Sequence, residues 1–129
     1  MDYRSTFEEI EKNLSELREE NKKTPIIVEG EKDIIALRKL NITGEIISVN
    51  KGVSLIDFID KIANEYKKII ILTDWDRKGG YICFKIKKNL EGRVDCDFTF
   101  RQFFARNSKV KTVEGLPSWI NTLKEKIKE

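Results

Sequence analysis

The chain contains no histidine among its 129 residues. That excludes Ser-His-Asp and Cys-His catalysis and any imidazole metal site. It has only two cysteines, Cys83 and Cys96, with no CxxC pair. A thiolate zinc centre is disfavoured, and both read as reduced, buried thiols. Any metal must then be held by oxygen, which favours Mg²⁺, Mn²⁺ or Ca²⁺. Long apolar runs are missing too. The longest, Ile69-Ile70-Ile71-Leu72, is far too short to cross a bilayer. The first residues are charged (Asp2, Arg4, Glu8, Glu9, Glu11) and lack the apolar core of a signal peptide, so the expected location is cytoplasmic. With 7 Gly, 2 Pro, 40% hydrophobic and 36% charged residues, the chain is not collagen-like, low-complexity or disordered.

The length suits a single domain spanning residues 1–129, able to bury about two-thirds of its unfolded surface. The net charge of +3 is unevenly spread. Residues 1–60 carry a balance of −4 and residues 61–129 one of +7. A basic second half is compatible with a polyanionic partner, although lysine-rich helices are also ordinary solvated faces.

Phe7, Ile10, Leu14 and Leu17 recur at helical spacing, and Ser5 with Glu8 forms a capping-box pattern that predicts where this first helix starts. Asn21 to Pro25 ends it. Short apolar runs then alternate with helical stretches. Strands are predicted at 26–28, 45–49, 68–73 and 94–97, and helices at 31–40, 54–65, 79–90 and 100–106. A short extended piece is expected at 110–113, and a final helix near Pro117. The strand runs are continuously apolar, as in a parallel sheet covered on both faces. Repeated strand–helix units predict a three-layer α/β fold with right-handed crossovers.

Ligands in such sheets bind beyond the carboxyl ends of the strands. Glu29-Gly30-Glu31-Lys32-Asp33 follows the first strand, Asn50-Lys51-Gly52 the second, and Thr73-Asp74-Trp75-Asp76-Arg77-Lys78-Gly79 the third. In an extended chain Asp74 and Asp76 share a side, with Trp75 opposite. Adjacent carboxylates repel, so one protonates or a cation lies between them. If strands one and three are neighbours, Glu29 stands one strand away, at about 4.8 Å lateral spacing. Three carboxylates at one crevice make a hard-cation site, typically Mg²⁺ completed by water and phosphate. The plainer alternative is that the two aspartates cap the next helix.

These residues carry a family resemblance. Ile26 to Asp33, IIVEGEKD, resembles the first motif of the Toprim domain, and Ile69 to Gly79, IIILTDWDRKG, resembles its DxDxxG motif. The resemblance covers residues 25–97. Residues 1–24 then read as an added N-terminal helix and 98–129 as a C-terminal helical extension. It implies a small stand-alone archaeal or bacterial Toprim protein, related to Toprim primases, topoisomerases and ribosomal-RNA-maturing nucleases. The implied fold is a four-stranded parallel sheet in order 2-1-3-4, which sets strands one and three side by side. Carried over by position, Glu29 matches a general acid/base or metal-ligand glutamate. Asp74 and Asp76 match the aspartates that coordinate Mg²⁺, with Mn²⁺ as the alternative ion. Gly79 matches the glycine that lets the following helix begin tightly. Gly30 and Gly52 are expected at turns. Glu31 and Asp33 are either part of the site or partners of a helix dipole.

An oxygen-bound metal polarises a phosphoryl oxygen and activates water, so the lack of histidine is no obstacle to phosphoryl chemistry. Lys32, Lys51, Arg77, Lys78, Arg101, Arg106 and Lys109 are candidate phosphate contacts. The aromatic segment Phe98 to Arg106 is either a stacking surface or a buried helix face, and the core is the expected place for Phe100, Phe103 and Phe104. Tyr3, Tyr66 and Tyr81 lack the context of a topoisomerase tyrosine, and the extra regions of a primase are absent. A haloacid-dehalogenase-type phosphotransferase is disfavoured because Lys78 stands where Thr or Val is expected. A P-loop is missing as well. The expected function is metal-dependent cleavage of RNA or DNA phosphodiesters. The alternative is a non-catalytic nucleic-acid-binding or assembly module of a larger complex that retains the metal site.

Overall fold

The protein is described from a computed structural model covering residues 2–49 and 52–129; Asn50 and Lys51, named above, lie outside the described residues. The elements run α1 (Tyr3–Asn21), β1 (Ile26–Val28), α2 (Glu31–Lys39), β2 (Ile46–Ser48), α3 (Leu55–Glu65), β3 (Lys68–Ile71), α4 (Arg77–Leu90), β4 (Asp95–Asp97), α5 (Thr99–Asn107) and α6 (Leu116–Lys128). All strand pairs are parallel and the sheet order is β2-β1-β3-β4, as the sequence reading expects.

Side-chain alternation sorts the strands into two cores. Ile26, Val28, Ile46, Ile70 and Leu72 pack with α1, α2, α5 and α6 on one face. Ile27, Ile69 and Ile71 pack with α3 and α4 on the other. Each of these isoleucines in β1 and β3 is fully buried, worth roughly 1.5–3 kcal/mol apiece. This two-sided burial explains why β1 and β3 read as unbroken apolar runs, whereas the edge strand β4, Asp95-Cys96-Asp97, is neither apolar nor fully buried. Phe100 and Phe104 are buried and Phe103 packs partly against the first core, so the aromatic segment is a core face.

Chain connectivity fixes where a ligand can enter. From β1 the chain runs to one side, through α2 to β2; from β3 it runs to the other, through α4 to β4. The order therefore reverses between β1 and β3, and the crevice beyond their carboxyl ends is the place for a ligand. Pairing of Ile27 with Ile71 sets the register, so Glu29 comes level with Thr73 and beside Asp74.

Two local expectations need correction. The first helix does not start from a Ser5 cap. Asp2 stands one turn earlier, and its carboxylate accepts the Ser5 amide at 3.1 Å, so the helix begins at Tyr3. Residues 110–113 form no extended strand, and 111–113 are bends. Their backbone groups are taken up by the β3–α4 loop: the Trp75 amide donates to the Lys111 carbonyl at 3.0 Å, and the Trp75 indole to the Val110 carbonyl at 2.7 Å. Among the described residues, no helix is long and apolar enough to cross a membrane.

Candidate metal centre

Three carboxylates meet at the β1–β3 crevice. One oxygen each from Glu29, Asp74 and Asp76 lies within 4.8 Å of the others. Each carboxylate is held by a backbone amide. Glu29 Oε2 accepts the Asp74 N–H at 2.8 Å, Asp74 Oδ1 accepts the Val113 N–H at 2.8 Å, and Asp76 Oδ1 accepts the Gly79 N–H at 2.8 Å. Asp76 thus does cap α4, as the plainer reading of the motif expects, and still leaves one oxygen over. Glu29 Oε1 and the Oδ2 atoms of both aspartates have no hydrogen-bond partner among the described residues. Nor does any of the three carboxylates form an ion pair with a lysine or arginine there.

This arrangement is electrostatically unsatisfied. Burial, followed by the charges of Asp33, Glu29 and Asp76, pushes the Asp74 carboxyl up to about 7, against the downward pull of the Val113 amide. Asp33 is also raised, chiefly by burial and further by the charges of Glu114 and Asp76, although it accepts the Gly30 amide at 3.1 Å. A set of oxygen donors on half-buried carboxylates, positioned by amides and without an ion pair among the described residues, fits a hard divalent cation.

The loop carrying the aspartates is held from several sides. Arg101 donates from Nε to the Thr73 carbonyl at 3.0 Å and from Nη2 to the Asp74 carbonyl at 2.7 Å. Thr73 Oγ1 donates to the Gly79 carbonyl at 3.0 Å. The Trp75 ring stacks on Phe104 with centroids 5.8 Å apart and packs against the first core. Gly79 is required by close approach, since a Cβ there would overlap the backbone carbonyl of Asp74. Gly52 has φ +77°, the left-handed region that favours glycine. Gly30 differs from expectation: its backbone is extended and a Cβ would meet nothing within 4 Å, so the turn there does not need glycine.

A cleft of about 640 Å³ opens at the cluster. Its walls include Glu29, Asp33, Asp74 and Glu114, with Lys32 and Lys78 as the cations among its lining residues. Arg77 is exposed beside it, in the first turn of α4. Arg101, a candidate phosphate contact, has two of its donors committed to the loop carbonyls. Arg106 and Lys109 line a separate hollow with Ser5, Thr6 and Glu9. Sequence reasoning missed Glu114. It lies in the α5–α6 connection, a segment tied to the crevice loop by the Val113–Asp74 hydrogen bond and by the two bonds from Trp75 to Val110 and Lys111.

A parallel 2-1-3-4 sheet with this acidic cluster at its switch point defines a class, and comparison with known proteins agrees. The Toprim domain model matches residues 24–107, and the chain belongs to that family. Its relatives are UPF0292 proteins. One from Thermoplasma volcanium is 42% identical over 102 residues, covering 78% of this chain and 86% of the relative. Another, from Methanosarcina acetivorans, is 34% identical over 128 residues, covering 96% and 88%. A solved structure, described as a putative protein from Aquifex aeolicus, superposes with a TM-score of 0.68 at 28% identity, covering 80% of this chain and 94% of that one. Toprim membership supports a role in nucleic-acid processing and a divalent metal at the acidic cluster.

Proposed function

We propose that the protein cleaves nucleic-acid phosphodiester bonds with the help of Mg²⁺, or Mn²⁺ in its place, held by Glu29, Asp74 and Asp76. The observation that carries this reading is the convergence of the three carboxylates, each oriented by an amide and each with an oxygen to spare. A bound divalent ion supplies charge neutralisation at phosphate and a more acidic water.

The chain's own residues do the rest. The Asp74 amide fixes the Glu29 carboxylate, and the Val113 amide fixes that of Asp74, so two ligands sit in place before substrate arrives. Lys32 and Lys78 on the cleft wall, with Arg77 beside it, attract phosphate towards an otherwise acidic pocket. Arg101 holds the Asp74 main chain and acts as a positioning residue.

The test is incubation of the native protein with labelled structured RNA, single-stranded DNA and duplex DNA, in Mg²⁺ and in a chelator. Metal-dependent cleavage that Glu29→Gln reduces at least a hundredfold is the expected result. Cleavage unaffected by Glu29→Gln overturns the assignment. A non-catalytic nucleic-acid-binding or assembly module is the second reading. It is favoured by the structural duty each carboxylate already performs, and it predicts binding without cleavage on every substrate.

A further inference from the structure

The acidic cluster lies at the N-terminus of α4, and the solvent side of that helix has a composition the metal site does not explain. Residues 77–90 include five cations (Arg77, Lys78, Lys85, Lys87 and Lys88) and no carboxylate. Interleaved with them are two large aromatic side chains, Tyr81 and Phe84, each 58% exposed. At 100° per residue, Arg77, Lys78, Tyr81, Phe84, Lys85 and Lys88 fall within one third of the helix circumference. Gly79, Ile86 and Leu90 are buried on the opposite side. The stripe therefore starts at the Asp76 cap and runs about 16 Å along the helix.

The rings and ammonium groups are ordered relative to one another. Lys85 Nζ lies 5.7 Å from the Tyr81 ring centre, and Lys88 Nζ 5.9 Å from that of Phe84. Each aromatic is thus paired with a cation one turn further along. Exposed rings of this size serve no core, and the density of positive charge repels a second copy of the same face. Alternating rings and cations match a polymer that alternates bases and phosphates. In a duplex the base faces are already stacked, so only an unpaired strand can use the rings.

We infer that the outer face of α4 is a docking stripe for single-stranded nucleic acid, with Tyr81 and Phe84 stacking on bases while Arg77, Lys85 and Lys88 contact phosphates along a path that leads to the acidic cluster. The inference rests on the proposed action on nucleic acid and narrows its substrate to unpaired strands.

Binding in a chelator tests it apart from catalysis, so failure here and failure of the metal assignment are distinguishable. Fluorescence anisotropy of labelled oligothymidylate and oligouridylate, about twelve nucleotides each, is measured for the native protein and for Tyr81→Ala/Phe84→Ala. Both side chains are exposed, so the double variant is expected to fold, and circular dichroism checks that it does. The expected result is an affinity loss of about fivefold or more for the double variant, with an unchanged dependence on salt. Lys85→Gln/Lys88→Gln is expected to flatten that dependence instead. Phe84→Trp provides an independent readout, its added fluorescence being quenched when the strand is bound. No binding by the native protein, a loss below fivefold, equal binding and equal sensitivity with a duplex of matched sequence, or a dimer that the double variant abolishes would each overturn the inference.

Discussion

The Asp74 amide donates to Glu29 Oε2 at 2.8 Å, joining residues 45 positions apart across the β1–β3 crevice. This bond makes the acidic cluster part of the fold rather than a feature laid on its surface. It also separates charge from shape. In Glu29→Gln the amide oxygen can still accept from Asp74, so the uncharged variant should fold normally and melt within a few degrees of the native protein. Stabilisation by Mg²⁺ should vanish. Glu29→Ala leaves the Asp74 amide without that acceptor and should lose about 1–3 kcal/mol. Thermal unfolding with and without Mg²⁺ measures both.

Asp74 makes stability depend on pH. Its carboxyl is pushed up to about 7 in the fold, chiefly by burial, from the ordinary aspartate value of 3.8. Between those values the folded state holds a proton that the unfolded chain has released. Stability from this group is therefore fully present below about pH 4 and is lost as pH rises through 7, at up to about 1.4 kcal/mol per pH unit. Asp74→Asn, still able to accept from Val113, removes this dependence. In metal-free urea unfolding, the variant should gain on the native protein between pH 5 and pH 8. A constant difference across that range would place the pH dependence elsewhere.

Gly79→Ala should be destabilising by on the order of 2–3 kcal/mol, because the new methyl meets the Asp74 carbonyl backbone. The same displacement should weaken Mg²⁺ binding. Gly30→Ala, with open space around its Cβ, should change the melting temperature little. Chemical denaturation of both variants checks the contrast.

Arg101→Ala should behave as a structural change. It leaves the Thr73 and Asp74 carbonyls without two donated hydrogen bonds, and a loss of about 1.5–3 kcal/mol is expected. Lys78→Ala removes an exposed cleft cation and should leave stability within about 0.5 kcal/mol. Paired unfolding curves separate the two.

Much of this was legible in the sequence for physical reasons. Unbroken runs such as Ile69 to Leu72 report burial on both faces of a parallel sheet, which fixes the layer order. Glu29, Asp74 and Asp76 stand where such sheets bind ligands, so topology alone brings them together. What escaped the sequence depends on contacts between distant segments. The 110–113 segment looks extended, yet its carbonyls serve Trp75 and its Val113 amide serves Asp74. Glu114 reaches the cleft through that same tie. Arg101 reads as a free cation because its carbonyl partners lie 27 and 28 residues away. The Asp2 cap was hidden by Ser5, whose own capping pattern competes for the start of the same helix.

The most direct test of the central claim is a crystal of the native protein soaked in Mn²⁺, with the ion located by anomalous scattering. The account predicts one ion bonded to oxygens of Glu29, Asp74 and Asp76 at about 2.0–2.3 Å, with water filling its remaining positions. An ion bound elsewhere, or none at these carboxylates under saturating Mn²⁺, would contradict it.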